Sequence, residues 1–311
     1  MPANLTGVVP PLCTPLTADQ EVDVRSLERL TSSLLAAGCT AVLALGSTGE
    51  VAFLPDAMRR RVLEVVTGCV AGAVPVLAGV IDMTTMRVVD HVRDAEKYGC
   101  AAVVTTAPFY ARINAAEIER HFRTIAGSSD LRVYAYDLPV AVGRKLPADL
   151  VLRLLADETV AGVKDSSGDD GSLRTLIAMA ADAGLENASI MTGSELTVDN
   201  ALRMGASGVV PGLGNVDPAG YVALYDAATD DNWEIALAEQ ERLLRLFRII
   251  TVADPARIGR SAGALGAFKA ALYLLGIIDC PQTMTPQLPL LAEEISVIRE
   301  LLLDAELTPV R

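Results

Sequence analysis

The stretch 161–169, AGVKDSSGD, sets one lysine, Lys164, at the end of a short apolar run and just ahead of small polar residues. Burial disfavours an ammonium, so a lysine at the mouth of a buried strand is costly unless its amine is used as a nucleophile. The plainer reading is an ion-paired or snorkelling lysine that merely ends a strand. Three other run ends carry reactive or anion-binding groups. The turn 46–50, GSTGE, offers the hydroxyls of Ser47 and Thr48 and backbone N–H groups, with Gly49 allowing a ligand close approach, which suits a carboxylate. Alternatively, the same Ser and Thr cap the next helix. Tyr136, in RVYAYDLP, supplies a phenol that can pass a proton, unless it is only a packed rim residue. Tyr110, in PFY, suits pocket lining, a subunit contact or a proton relay.

These residues must be positioned by the elements that precede them. Short β-branched runs ending in Gly, Pro, Ser or Thr, each followed by an amphipathic helical segment, recur along the chain. They are GVVPPLCTP, TAVLALGSTGE, VPVLAGVID, AAVVTTAPFY, RVYAYDLP, VAGVKDSSG, ASIMTGSE and SGVVPGLGN. Eight such units of roughly 20 to 35 residues predict an α/β fold, a (β/α)8 TIM barrel, whose active site lies at the C-terminal ends of the strands. A doubly wound sheet would want a Gly-rich turn after its first strand. The nearest match, 212–217, GLGNVD, lacks the third glycine and follows the last strand, so it reads as a loop at the barrel mouth. Pro55 suits a first helical turn, and the helix containing His91 should stop at Gly99. The barrel is assigned to residues 1–228. Residues 229–311 form a C-terminal helical extension, with helices near 232–250, 263–275 and 289–303, that packs on the barrel or helps subunits associate.

Composition sets the bounds. Of 311 residues, 51% are hydrophobic and only 4% aromatic, so the interior should be Val, Leu, Ile and Ala, as in parallel strands buried on both faces. The net charge of −13 argues against nucleic acid and anionic membranes as partners, though not against a small anionic substrate. The first residues, MPANLTGVVPPL, show no leader, and no span of about 18 apolar residues occurs, so a soluble cytoplasmic protein is expected. Five cysteines without a CxxC pair read as reduced thiols. The only histidines, His91 and His121, both fall in helical stretches, against a zinc site or a histidine triad, and no metal or cofactor is expected.

Together GSTGE, YDLP, GVKD and GASGVVPGLGN resemble the dihydrodipicolinate synthase and N-acetylneuraminate lyase family of class I aldolases, in order and across nearly the whole chain. The resemblance implies a Schiff base between Lys164 and the carbonyl of pyruvate or another 2-oxo acid. It implies Tyr136 as proton shuttle and Ser47, Thr48 and Gly49 as the carboxylate site, with Gly193 and Val210 completing the substrate-binding set. It also implies that Tyr110 joins a relay across a subunit interface, in a homo-oligomer built as a tetramer from dimers. An iminium at the former carbonyl carbon is an electron sink that acidifies the adjacent carbon, so a C–C bond can form or break without a metal.

One departure bears on the substrate. Synthases that condense pyruvate with aspartate semialdehyde usually read YNxPxRTG, whereas here Ala141 stands in the arginine's place and Arg144 lies beyond the glycine. Losing a bidentate carboxylate clamp removes roughly 1.5 to 3 kcal/mol. Serine in GSTGE and PFY rather than PYY also lean toward the lyase and sugar-acid aldolase branch. The stretch MTGSE does not reproduce the longer acidic pattern of a sialic-acid lyase; its Glu195 suits a polyol or a helix cap. The first reading is therefore a lyase, aldolase or dehydratase, acting on pyruvate or a small hydroxylated 2-oxo acid. The second is 4-hydroxy-tetrahydrodipicolinate synthase, and the third a catalytically silent 2-oxo-acid-binding barrel.

Overall fold

Each β-branched run becomes a parallel strand and each amphipathic run a helix that covers it. In the computed structural model, which describes residues 4–311, the strands are β1 (Gly7–Val8), β2 (Val42–Ala44), β3 (Val76–Gly79), β4 (Ala102–Thr106), β5 (Arg132–Asp137), β6 (Gly162–Asp165), β7 (Ser189–Thr192) and β8 (Gly208–Val209). The first three residues, part of the stretch read above as showing no leader, lie outside the described residues. The sheet order is β1-β8-β7-β6-β5-β4-β3-β2. The ring closes between its two ends, where Thr40 N–H donates to the Val8 carbonyl (3.0 Å), Leu43 N–H to Pro10 (3.0 Å) and Leu12 N–H to Leu43 (2.9 Å). The (β/α)8 barrel expected from the sequence is thus the fold, and its strand ends all open on one face.

The helices are α1 (Val24–Ala36), α2 (Asp56–Val70), α3 (Thr85–Lys97), α4 (Ala115–Ala126), α5 (Pro139–Val142), α6 (Ala148–Ala156), α7 (Asp170–Asp182) and α8 (Val198–Arg203). After β8 come α9 (Pro218–Thr229), α10 (Trp233–Phe247), α11 (Arg260–Leu274) and α12 (Ala292–Asp304). Helix α4 shows how the covering layer is specified. Asn114 accepts from the Glu117 N–H while the Glu117 carboxylate accepts from the Asn114 N–H, and Ile118, His121, Phe122 and Ile125 form its buried stripe. The same outer cluster of buried side chains runs on without a break beneath α10, α11 and α12, through Leu243, Phe268 and Ile298. Inside the barrel a smaller cluster holds Val9, Leu43, Leu77, Val104, Tyr134, Tyr136, Met191 and Val210.

Several expected boundaries move. Pro55 is the cap before α2 rather than its first turn, whereas the stop at Gly99 holds: α3 ends at Lys97, with Tyr98 as its cap and Gly99 beyond it in the left-handed region at φ +75°. Helix α11 starts before Gly263, whereas α12 starts only at Ala292, because the Glu294 carboxylate accepts the Leu291 N–H (2.7 Å) and fixes the entry there. Among the described residues, no helix is long and apolar enough to cross a membrane.

His121 ties the end of β4 to two helices. A carbonyl can only accept, so Nε2 carries the proton donated to Thr106 O (3.1 Å), leaving Nδ1 to accept from the Thr85 hydroxyl (3.0 Å). Burial pushes the imidazole pKa down from 6.5 to about 4, against the pull of the Thr106 carbonyl. The neutral ring therefore supports the fold fully above pH 6.5, and that support drains away as pH falls toward 4. The difference amounts to about 3 kcal/mol. Urea unfolding across this window should show a shallower pH dependence in His121→Gln than in the parent chain; parallel curves would contradict the assignment.

Candidate active site

Strands β5 and β6 pair with Tyr136 opposite Lys164, and both side chains point into the barrel. They are 4% and 7% exposed, so neither is a surface residue that merely ends a strand. The Lys164 amine sits 4.2 Å from the centroid of the Tyr136 ring, where the π-face attracts the cation. Among the described residues no carboxylate forms an ion pair with it. The ion-paired lysine of the plainer reading is therefore not what the fold builds.

The turn after β2 brings in the hydroxyls. Ser47 Oγ lies 3.5 Å from the Tyr136 hydroxyl, and Ser47 is exposed at the mouth with Thr48 half-buried beside it. Leu45 and Glu50, at φ +58° and +60°, bracket this turn in a conformation that L-residues rarely adopt, which suits a functional site. Gly49 is buried, and its carbonyl accepts from the Thr14 hydroxyl (2.8 Å). Helix α2 begins only at Asp56 and Pro55 makes no side-chain cap, so Ser47 and Thr48 are not capping residues.

Gly193 and Val210 flank the lysine from β7 and β8. A Cβ at Gly193 would stand 2.0 Å from Ser166 Oγ and 3.1 Å from Lys164 Cε, so a side chain there would displace the Ser166 hydroxyl and crowd the lysine stem. Val210 and Lys164 line the same small cavity in the barrel interior, with Tyr134 and Met191. Tyr110, by contrast, is not brought to this group within the chain. It is 95% exposed, has φ +74°, and makes no hydrogen bond among the described residues.

Glu195 does not follow the helix-cap expectation. It caps no helix, since α8 follows Thr197, and its carboxylate instead accepts the Gly212 N–H (2.7 Å) at the turn after β8. Burial pushes its pKa up, opposed by the Gly212 N–H and by Lys164 nearby. The 212–217 loop does lie at the barrel mouth, where residues Gly212–Asn215 form a 3₁₀ turn. Ala141 sits in α5 and is exposed, as is Arg144. All five cysteines are free, and burial pushes the Cys13 thiol up to about 12, which leaves it protonated.

The residue that sequence reasoning missed is the partner of Glu50. Glu50 and Lys269 are 1% and 0% exposed and form an ion pair, with Lys269 Nζ also donating to the Gln282 carbonyl (2.8 Å). Glu50 Oε2 accepts from the Met284 N–H (2.7 Å) and from Gln287 Nε2 (2.8 Å). The turn that carries Ser47 and Thr48 is thereby fastened to α11 and the segment after it. The available signal was one lysine in an otherwise apolar helix, SAGALGAFKAALYLL, a position that demands a buried counter-charge.

With this geometry in place, comparison with known proteins is direct. The model of the dihydrodipicolinate synthetase family matches residues 4–304. An uncharacterised DapA-like lyase of Halobacterium salinarum is 35% identical over 88% of this chain and 86% of its own length. A 4-hydroxy-tetrahydrodipicolinate synthase of Porphyromonas gingivalis is 30% identical over 89% of each. Among solved structures, dihydrodipicolinate synthase from Bacteroides thetaiotaomicron superposes with a TM-score of 0.91 at 28% identity, covering 98% of this chain and all of its own. YagE, an Escherichia coli K12 prophage protein of the dihydrodipicolinic acid synthase family solved in complex with pyruvate, gives 0.90 at 26%, covering 97% and 99%.

Removing one member of a buried ion pair strands the other. Lys269→Met should lower the unfolding free energy by about 3 to 5 kcal/mol in urea titrations. Adding Glu50→Gln to that variant should recover part of the loss, and equal destabilisation of the single and double variants would contradict the pairing.

Proposed function

The chain belongs to the dihydrodipicolinate synthetase family, and from that premise we propose that it is a Schiff-base-forming lyase acting on pyruvate or a small hydroxylated 2-oxo acid. The observation that carries this reading is a buried lysine with no carboxylate partner, held 4.2 Å from a tyrosine ring whose hydroxyl reaches the carboxylate-binding turn. Lys164 attacks the ketone carbon of the substrate, water leaves, and an iminium forms. Ser47 and Thr48 hold the substrate carboxylate, in a turn closed by Gly49, whose N–H donates to the Gly46 carbonyl (3.0 Å). Tyr136 gives a proton to the departing oxygen and later takes or returns protons at the substrate, with Ser47 next in the chain of hydroxyls. The iminium draws electrons from the neighbouring carbon, so cleavage of a C–C bond, its formation, or loss of a hydroxyl all pass through the same enamine. The pyruvate complex of YagE, similar over nearly the whole chain, supports a 2-oxo acid as ligand.

Tyr110 is assigned to a relay completed by a second subunit, in a homotetramer made of dimers. Its nearly full exposure and left-handed backbone support a role that one chain alone does not satisfy.

The second reading, 4-hydroxy-tetrahydrodipicolinate synthase, is favoured by the relatives that carry this name, including that of Porphyromonas gingivalis. Ala141 counts against it, because the arginine that would grip a second carboxylate is missing. A coupled assay with pyruvate and aspartate semialdehyde separates the two; efficient condensation would favour the second. The silent-barrel reading is opposed by the intact set of Lys164, Tyr136, Ser47 and Thr48.

Borohydride reduction in the presence of pyruvate should leave a covalent adduct on Lys164, located by peptide mass mapping. No adduct with any 2-oxo acid would sink the proposal. Tyr136→Phe should slow turnover by about a hundredfold or more while slowing adduct formation much less. Equal loss of both would contradict the shuttle role.

A further inference from the structure

Directly behind Tyr136 and Lys164 stands a second register pair. Alternation along a strand turns Asp137 and Asp165, opposite each other at the ends of β5 and β6, away from the barrel axis, where they are 3% and 6% exposed. Neighbouring strands run about 4.8 Å apart, so two buried carboxylates at one register position repel unless a cation stands between them. Lys145 is that cation. Its ammonium lies 2.5 Å from Asp137 Oδ2 and 3.3 Å from Asp165 Oδ2. Among the described residues no other cation pairs with either carboxylate.

The remaining oxygens are occupied as well. Asp137 Oδ1 accepts the Leu146 N–H (3.0 Å), and Asp165 Oδ1 accepts the Ser167 N–H (2.8 Å). The backbone ladder continues through Ser166 N–H to the Asp137 carbonyl (2.9 Å). Burial pushes the Asp137 carboxyl above its ordinary range against the pull of Lys145, so the charge there leans on the lysine. Lys145 and the buried Leu146 also end the segment that leaves β5, forms α5 with Ala141, and returns. One ammonium thus gathers the end of β5, the end of β6 and the loop between them.

We propose that Lys145 is a positioning residue: by bridging Asp137 and Asp165 it fixes the placement of the Tyr136 phenol relative to the Lys164 amine, one residue earlier on each strand. The inference rests on the Schiff-base reading for its consequence, though not for its geometry. Proton transfer demands donor and acceptor at about 2.6 to 3.2 Å, and a misplacement of about 1 Å can cost a hundredfold. A carboxylate–ammonium–carboxylate bridge holds both strand ends to one charge. Lys145 itself touches no reacting atom.

The test uses the full chain and pyruvate, comparing Lys145→Met, Lys145→Arg and Asp137→Asn. Exchange of the pyruvate methyl protons with deuterated water is followed by NMR, and half-saturation is measured in the same titrations. In folded Lys145→Met the exchange rate at saturating pyruvate should fall by about tenfold or more, while half-saturation moves little, because the carboxylate turn belongs to another strand. Lys145→Arg, which keeps the charge, should retain most of the rate. An unchanged rate in Lys145→Met, or equal loss in Lys145→Met and Lys145→Arg, overturns the proposal. Should Lys145→Met fail to fold, Asp137→Asn decides: it keeps the acceptor for Leu146 and removes one charge, and an unchanged rate there overturns the proposal equally. A parent chain that neither exchanges pyruvate protons nor forms an adduct refutes the Schiff-base reading instead. The clamp is then judged by amide hydrogen exchange at Ser166, where unchanged protection in the variants would overturn it.

Discussion

A carboxylate and an ammonium that are both out of reach of water must be kept together, and Glu50 with Lys269 is the place where this chain accepts that constraint. Removing each ion from water costs several kcal/mol, offset only when the pair is close and its other hydrogen-bonding positions are filled. Here the Gln282 carbonyl, the Met284 N–H and the Gln287 amide fill them. The pair joins the turn that carries Ser47 and Thr48 to helix α11. The helices after the barrel therefore bear on the wall of the candidate site: without them Glu50 would be buried with no counter-charge, and the left-handed residues that shape the turn would lose their anchor.

Local features of the sequence were enough to order the barrel. Period-two and period-3.6 patterns locate eight strands and their covering helices, and a residue at a strand's end must sit at the barrel mouth, which places Lys164 and Tyr136 side by side. Helix ends were less legible, because Glu294 fixes the start of α12 by reaching back to the Leu291 N–H, a choice that hydrophobic periodicity does not record. Least legible were partners far apart along the chain. Nothing near Glu50 in the sequence points to Lys269, and nothing near Glu195 points to the Gly212 N–H. Both are decided by how the eighth strand and the C-terminal helices return to the mouth.

The barrel interior divides its chemistry by layer. Lower down, Val9, Leu43, Leu77, Val104 and Tyr134 exclude water, and Gly162 makes this possible, since a Cβ there would stand 2.9 Å from the Tyr134 ring and 2.3 Å from the Ser189 carbonyl. Nearer the mouth, the space left by Gly193 is taken by the Ser166 hydroxyl and bordered by the stem of Lys164. Small residues are thus spent where a large side chain must stand upright. The small cavity beside Lys164 is lined below by Leu43, Leu77, Val104 and Met191, so the floor under the amine is apolar. A net charge of −13 does not by itself decide against an anionic ligand, because the field at the mouth is set by the nearest groups, which include Lys164, the hydroxyls of Ser47 and Thr48, and the carboxyl of Glu195.

What meets the far end of the substrate follows from the same local view. The position of the missing arginine is held by Ala141, on an exposed short helix, and Arg144 beyond it is also exposed. Lys145, the next cation along, is committed to Asp137 and Asp165. Glu195 presents a carboxylate that is already shared with the Gly212 N–H. On the proposed reading, a second carboxylate on the substrate would meet the Glu195 carboxyl and a Lys145 already held by two aspartates, which costs binding energy. Hydroxyl groups, which can donate to Glu195 and accept from Ser and Thr, would not. If the substrate is the 2-oxo acid proposed above, this asymmetry favours a neutral hydroxylated tail over a second acid group at its far end.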